Sequence, residues 1–303
     1  MTTNGTVHTG RLRKIRFLVG YAAIVGTLPY LTLKLAWLSG GTLGLREPEF
    51  VDTPTMYAAN LFTGGMVLVA ILLALTFTHA WGLRVPAGPL LFPIWVGTGY
   101  LAPIALGIPV IGLSFFTDEG GGGAMPLEAW VTPLVYASFA WQGFTLLTAF
   151  ALYARVRWAR LFTGYAAPGR LGLLGGTGAL VAVVTGAVQL GRVVVPDGDA
   201  SAAMRFMDGV DGVLAFAAAA AMLVIARGNV GFRLPMVLVW VGSADLFAWG
   251  LWRLFSSLGN GEIGVRMITE QGQVLGGILL ALALLAKARV VTQEPLSTGR
   301  AAG

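Results

Sequence analysis

Eight apolar stretches, each near twenty residues or longer, recur along this chain and constrain its fold more than any other feature. They lie at about 15–38, 55–80, 89–113, 130–153, 171–192, 206–226, 234–257 and 267–286. A helix needs about 20 apolar residues to cross the hydrocarbon core of a bilayer. Backbone groups in lipid must be satisfied within a helix or a closed barrel, and continuous rather than alternating hydrophobicity favours helices. The sequence therefore predicts an all-α, polytopic integral membrane protein with about eight transmembrane helices.

Composition supports this class and narrows the chemistry. Of 303 residues, 56% are hydrophobic and 11% are charged, and the mean hydropathy is +0.77, which is unusual for a soluble globular domain. The absence of cysteine excludes disulfides, thiol redox relays and thiolate metal sites. Two histidines, His8 and His79, do not favour paired haem ligation. We predict no metal site and no cofactor.

Loop charges predict the orientation, because Lys and Arg accumulate on the cytoplasmic side of a membrane. Basic residues cluster in one set of alternate loops, at 11–16, 84, 155–170, 227–233 and 287–289. Acidic residues cluster in the other set, at 47–52, 118–128, 197–199 and 262. We therefore expect both termini in the cytoplasm. The net charge of +6 then reflects the inner loops and indicates binding to anionic membrane lipids, with no nucleic-acid partner.

These features predict a simple domain organisation. A basic cytoplasmic N-terminus is expected over residues 1–14, a single transmembrane helical bundle over 15–290, and a disordered cytoplasmic tail over 291–303. The sequence gives no indication of the oligomeric state.

Asp245 stands in the middle of the seventh apolar stretch, within VWVGSADLFAWGLWRLF over 239–255. A charge at the centre of a bilayer costs at least about 3 kcal/mol on insertion scales, so it marks a candidate functional site. A structural interpretation pairs Asp245 with Arg253 on its own helix or with Lys34 on another. In the functional interpretation, burial keeps the carboxyl protonated at neutral pH, so that it can act as an acid. We take Asp245 as the leading acid.

Three further carboxyl groups lie in the late apolar stretches. Asp208 and Asp211 open the sixth stretch, and Glu270 opens the eighth. Negative charge is favourable in the first turn of any helix, which gives all three a structural explanation. The functional alternative is a carboxyl pair that shares one proton, with Glu270 also tuning or delivering the proton of Asp245. The candidate catalytic set is therefore Asp245, Asp208, Asp211 and Glu270.

Aromatic residues provide candidate walls for a binding cavity. Trp249 and Trp252 follow Asp245 at i+4 and i+7 and thus share its helix face. Aromatic faces stabilise a nearby cation, although anchoring at the membrane interface and core packing are the structural alternatives. The candidate substrate-binding residues are Trp249, Trp252, Trp141, Tyr57, Tyr136 and Arg253.

A membrane cavity with protonated carboxyls and aromatic walls favours two kinds of chemistry. In acid catalysis, a protonated Asp or Glu gives its proton to an alkene or epoxide, and aromatic faces stabilise each carbocation until deprotonation. Terpene cyclisation has this form, and a metal-independent terpene cyclase is the leading expectation. The alternatives are a proton-coupled transporter or exporter of a small lipophilic molecule and a non-catalytic membrane subunit whose charges recognise a partner helix.

The chain also resembles a known enzyme family. Its length near 300 residues, its eight apolar stretches, its lack of cysteine and its late acidic segments MDGVDG, GSADLF and ITEQGQ resemble the actinobacterial membrane-bound terpene cyclases of the drimentine pathway type. The resemblance implies protonation-initiated cyclisation of a farnesyl group, often on an indole-containing small molecule. It also implies terpenoid secondary metabolism and a place in the bacterial cytoplasmic membrane.

Overall fold

The computed structural model describes residues 3–51, 53–116, 126–196, 200–259 and 264–293. The helices in these ranges are α1 Thr3–Leu38, α2 Pro54–Thr78, α3 Ala87–Ser114, α4 Val131–Arg157, α5 Ala159–Thr163, α6 Gly172–Val194, α7 Ala202–Arg227, α8 Arg233–Gly259 and α9 Val265–Gln293. Two 3-10 helices, Pro48–Val51 and Ala80–Arg84, flank α2. No strand occurs in the described ranges beyond two isolated bridges.

Eight of these helices, all except the short α5, are long and apolar enough to cross a membrane. The prediction of an all-α, multi-pass membrane protein is confirmed. The predicted stretches six, seven and eight correspond to α7, α8 and α9. The cytoplasmic location of the termini stays a prediction, and the acidic loop positions at 52, 118–119, 197–199 and 262 lie outside the described residues.

The helix ends differ from the predicted boundaries. Helix α1 begins at Thr3, so most of the predicted basic N-terminus is helical. Helix α9 continues to Gln293, so residues 291–293 of the predicted tail are helical, while 294–303 lie outside the described part of the chain. Residues 281–289 of α9 are all Ala, Leu, Lys or Arg, which are among the strongest helix formers and favour continuing the helix beyond its predicted apolar stretch.

The chain divides into two compact units. Unit 1 comprises Met1–Tyr153 and Val195–Val210. In it α1 packs against α2, and α2 packs against α3. Helix α4 contacts α1, where Trp141 Nε1 donates a hydrogen bond to the carbonyl oxygen of Ala22 at 2.8 Å. The prediction of one continuous bundle over 15–290 stays a prediction.

Unit 2 comprises Ala154–Val194 and Asp211–Gly303. Helix α9 packs against both α6 and α8. Glycines bring the helices of this unit close together: a Cβ on Gly242 of α8 would lie 2.3 Å from the carbonyl oxygen of Leu214 on α7. A Cβ on Gly250 would lie 2.7 Å from Cβ of Gln273 on α9. Small residues allow such close approach between membrane helices, and here they bring polar positions of α7, α8 and α9 into contact.

Candidate functional site

Asp245 lies in the middle of α8 and is 1% exposed. Its neighbours on the helix, Gly242, Ser243 and Ala244, are small and buried, so α8 packs tightly at this level. The carboxyl oxygen Oδ1 of Asp245 accepts no hydrogen bond from the described residues. A buried polar group without a partner is costly, and a buried charge is more costly still. The surroundings of Asp245 therefore favour its neutral, protonated form.

Asp211 on α7 is the nearest acid and is also buried. Its Oδ2 accepts a hydrogen bond from Arg253 Nη2 of α8 at 2.5 Å. Arg253 Nη1 also lies 3.4 Å from Gln273 Oε1 of α9. The guanidinium, whose side chain is 21% exposed, therefore joins the three helices at one point.

Arg253, one of the two expected structural partners of Asp245, lies close enough to Asp245 to interact with it electrostatically. Arg253 follows Asp245 by eight residues along α8, and its guanidinium also bonds to Asp211 on α7. Lys34 donates to Asn60 within unit 1.

Asp211 and Asp245 together form a carboxyl pair. The two buried carboxyl groups are near enough to interact electrostatically, and each has an Oδ1 atom with no donor among the described residues. Two carboxylate oxygens are both acceptors, so a bond between them requires a proton. Arg253 supplies one positive charge to the two acids. One proton held by the pair therefore leaves the trio of Asp211, Asp245 and Arg253 electrically neutral.

Glu270 on α9 is a third buried acid in unit 2. Its Oε1 accepts a hydrogen bond from Ser257 Oγ of α8 at 3.0 Å, and its Oε2 has no donor among the described residues. The predicted site omits Ser257 and Gln273, which contact Glu270 and Arg253. Gln273 follows Glu270 at i+3 and shares its face, so the spacing in TEQGQ is a pattern that could have identified it.

The other predicted site residues are spread over the two units. Asp208 precedes Asp211 by three residues on α7, is half-buried and belongs to unit 1. Trp249 is half-buried on α8, whereas Trp252 is exposed. The remaining predicted aromatic residues, Trp141, Tyr57 and Tyr136, all belong to unit 1.

The aromatic residues of unit 1 have structural contacts or surface positions. Trp141 is exposed, but its indole N–H is bound to the backbone of α1. Tyr57 is exposed near the start of α2. Tyr136 is half-buried and packs against Phe115 with a ring-centroid distance of 6.0 Å. A hydrogen bond and ring packing therefore account for the positions of Trp141 and Tyr136.

Two cavities are described, and neither is lined by the predicted acids. A cavity of about 190 Å³ in unit 2 is lined by residues that include Ala166, Ile225 and Phe232. A larger one of about 580 Å³ in unit 1 is lined by residues that include Arg13, Phe17 and His79. Within the described ranges, no group of three or more His, Cys, Asp or Glu side chains is arranged to hold a metal ion.

No family model, curated protein or solved structure matches the chain. The most distinctive feature of the described residues is the trio of Asp211, Asp245 and Arg253, in which two buried acids lie beside a half-buried guanidinium.

Proposed function

We propose that this protein is a proton-coupled transporter or exporter of a small lipophilic molecule in the bacterial cytoplasmic membrane, with Asp245 as the group that carries the proton. The observation that carries this proposal is that two buried carboxyl groups, Asp211 and Asp245, share a single cation, Arg253. Ionisable residues inside membrane helices are costly, and they commonly mark proton relays and substrate pathways.

The charge balance of the trio gives it two states. With one proton the trio is neutral, and Arg253 remains on Asp211. Without that proton the trio has a net negative charge inside the helix bundle, and both carboxylates compete for one guanidinium. An uncompensated buried charge costs several kcal/mol, so loss of the proton favours a rearrangement of Arg253 and of the helices that hold it. Transport couples to protons through an equilibrium of this kind.

The contacts of Arg253 are suited to transmit such a change. The guanidinium bonds to α7 through Asp211 and reaches α9 through Gln273. Helix α8 also touches α7 and α9 directly at Gly242 and Gly250. Packed helices with little free space respond to a local shift by moving as bodies rather than by deforming. A change at the carboxyl pair therefore acts on α7 and α9 together.

Transport assays in proteoliposomes test the proposal. The purified protein is reconstituted, a pH gradient is imposed under a clamped membrane potential, and an internal pH dye reports proton movement. Farnesol and tetraphenylphosphonium serve as a neutral and a cationic lipophilic probe. We expect probe-dependent proton movement that Asp245→Asn abolishes and that Glu128→Gln, at an exposed loop acid, leaves unchanged. Equal proton movement in Asp245→Asn would refute the role of Asp245.

A terpene cyclase is the second candidate, and the position of Trp249 favours it. Trp249 lies one turn after Asp245 on α8 and is half-buried, so an indole ring is on the face of the acid. Asp245 would protonate an alkene or epoxide of a farnesyl group, and the ring would stabilise the carbocation. The third expectation, a non-catalytic membrane subunit, stays a prediction.

Incubation in detergent distinguishes the two candidates. Purified protein is mixed with farnesylated indole compounds in the presence of EDTA, and products are separated by chromatography. A cyclase forms a cyclised isomer that Asp245→Asn no longer makes, and Trp249→Ala shifts products toward hydroxylated or monocyclic forms. Proton movement in liposomes without any cyclised product supports the transporter.

A further inference from the structure

Unit 1 contains a buried cation that the proposed function does not use. Lys34 on α1 is only 7% exposed. Its Nζ donates a hydrogen bond to Oδ1 of Asn60 on α2 at 2.7 Å, and Asn60 is itself buried. No carboxylate of the described residues forms an ion pair with Lys34. The positive charge of this side chain is therefore held among neutral groups.

Two aromatic rings flank the ammonium group. The Lys34 Nζ atom lies 4.8 Å from the ring centroid of Tyr30 and 4.8 Å from that of Trp37. Each ring has its own support: Tyr30 packs edge to face against Phe139 at 4.9 Å, and Trp37 Nε1 donates to the carbonyl oxygen of Leu43 at 2.8 Å. The cation-binding walls are thus held by contacts that do not involve Lys34.

The hydrogen-bonding capacity of Lys34 is only partly used. An ammonium group has three N–H donors and no acceptor, and Asn60 accepts from one of them. Ring faces stabilise a cation but do not neutralise it. A carboxylate or phosphate oxygen would supply both the missing acceptor and the missing negative charge, through a short charge-assisted hydrogen bond.

The position of Lys34 on α1 indicates where such an anion comes from. Lys34 precedes the end of α1 at Leu38 by four residues, a rise of about 6 Å. The ends of membrane-spanning helices lie at the level of lipid headgroups, and Lys side chains near those ends reach toward the interface. An anionic headgroup or a soluble anion can approach at this level.

We propose that Lys34, with Asn60, Tyr30 and Trp37, forms a binding site for one anionic group, a phosphate or a carboxylate. Lys34 supplies the charge, Asn60 fixes the amine, and the two rings flank the ammonium group. The site belongs wholly to unit 1, and it does not depend on the proposed transport function or on Asp245.

Native mass spectrometry of the full-length protein tests this site. The protein in detergent is titrated with phosphatidylglycerol and with phosphatidylcholine that has the same acyl chains. Because other basic residues also attract anionic lipids, the comparison is between variants. We expect Lys34→Met to lower the affinity for the first phosphatidylglycerol at least tenfold and to leave phosphatidylcholine binding unchanged. Lys34→Arg, which keeps the charge, and Lys287→Met, a control at an exposed lysine contact, should keep the wild-type affinity.

Inorganic phosphate identifies the source of the anion. If millimolar phosphate does not displace phosphatidylglycerol from the wild-type protein, the anion is a lipid headgroup. If the protein binds phosphate, Lys34→Met abolishes that binding, and phosphatidylglycerol is not preferred over phosphatidylcholine, the anion is soluble. Both results support the site. Unchanged binding of phosphatidylglycerol and of phosphate in Lys34→Met would overturn it. Folding of that variant is checked by thermal unfolding without added anion, where we expect a cooperative transition with a midpoint close to that of the wild type, since the variant loses one hydrogen bond to a neutral amide.

Discussion

Replacement of Arg253 by Met should strongly destabilise unit 2, because it removes the single cation that faces two buried acids. Arg253 donates to Asp211 at 2.5 Å, and Asp211 is 3% exposed. Removing one partner of a buried ion pair typically costs 3–5 kcal/mol. The Arg253 side chain is 21% exposed, so some solvent screening applies and we expect a loss of about 3 kcal/mol, the lower end of that range.

A double-mutant cycle separates the energy of the Arg253–Asp211 ion pair from the energy of general packing. Asp211→Asn alone removes the ion pair but keeps the contact of Arg253 with Gln273, and we expect it to cost about 2 kcal/mol. The double variant removes both charges and should also cost about 2 kcal/mol, so that the coupling energy is about 3 kcal/mol. A matched control is Arg192→Met: Arg192 Nη1 donates to the neutral Gln189 Oε1 at 2.8 Å, and we expect a loss of about 1 kcal/mol.

Equilibrium unfolding in mixed micelles with increasing SDS measures the free energy of unfolding of all four proteins and of the control. The reasoning would be refuted by additive effects of the two single substitutions, or by a loss for Arg253→Met no larger than that for Arg192→Met. Either result would show that Arg253 does not compensate the carboxyl pair.

Two further substitutions test helix packing, one in each unit. Gly242→Ala places a Cβ in close contact with a backbone carbonyl of α7 and should lower the free energy of unfolding by about 1–3 kcal/mol in the same assay. The control Gly191→Ala, with nothing described within 4 Å of the new Cβ, should be neutral or slightly stabilising. Equal effects of the two substitutions would contradict the close approach of α7 and α8. Trp141→Phe removes the hydrogen bond to Ala22 and should lower stability by about 1 kcal/mol, and a loss of transport activity with unchanged stability would instead indicate a direct role for that indole.

The sequence predicts the helices well because a transmembrane helix satisfies its own backbone. Length and hydropathy alone place eight spans to within a few residues, and the cost of charge in lipid identifies Asp245 as a buried acid before any coordinate is known. The ends of α1 and α9 are less predictable, since helix-forming residues continue a helix into polar surroundings.

The sequence could not specify which side chains the charged residues contact. Arg253 and Asp245 lie on one predicted helix, and proximity along the chain favours their pairing. The structure shows Arg253 bound to Asp211 across the helix contact, because a glycine at 242 brings α7 within reach. Likewise, Lys34 is visible in the sequence as an intramembrane charge, but its contact with Asn60 depends on how α1 packs against α2. Such contacts are set by tertiary packing and not by periodicity.

The central claim is that Asp211 and Asp245 hold one proton between them while Arg253 compensates the remaining charge. Infrared difference spectroscopy of the purified protein measures this most directly, because a protonated buried carboxyl has a C=O stretching band that a carboxylate lacks. We predict a protonated-carboxyl band at neutral pH that is weaker in Asp245→Asn and unchanged in Glu128→Gln. A spectrum at neutral pH with no protonated-carboxyl band, or the same band in Asp245→Asn as in the wild type, would contradict the claim.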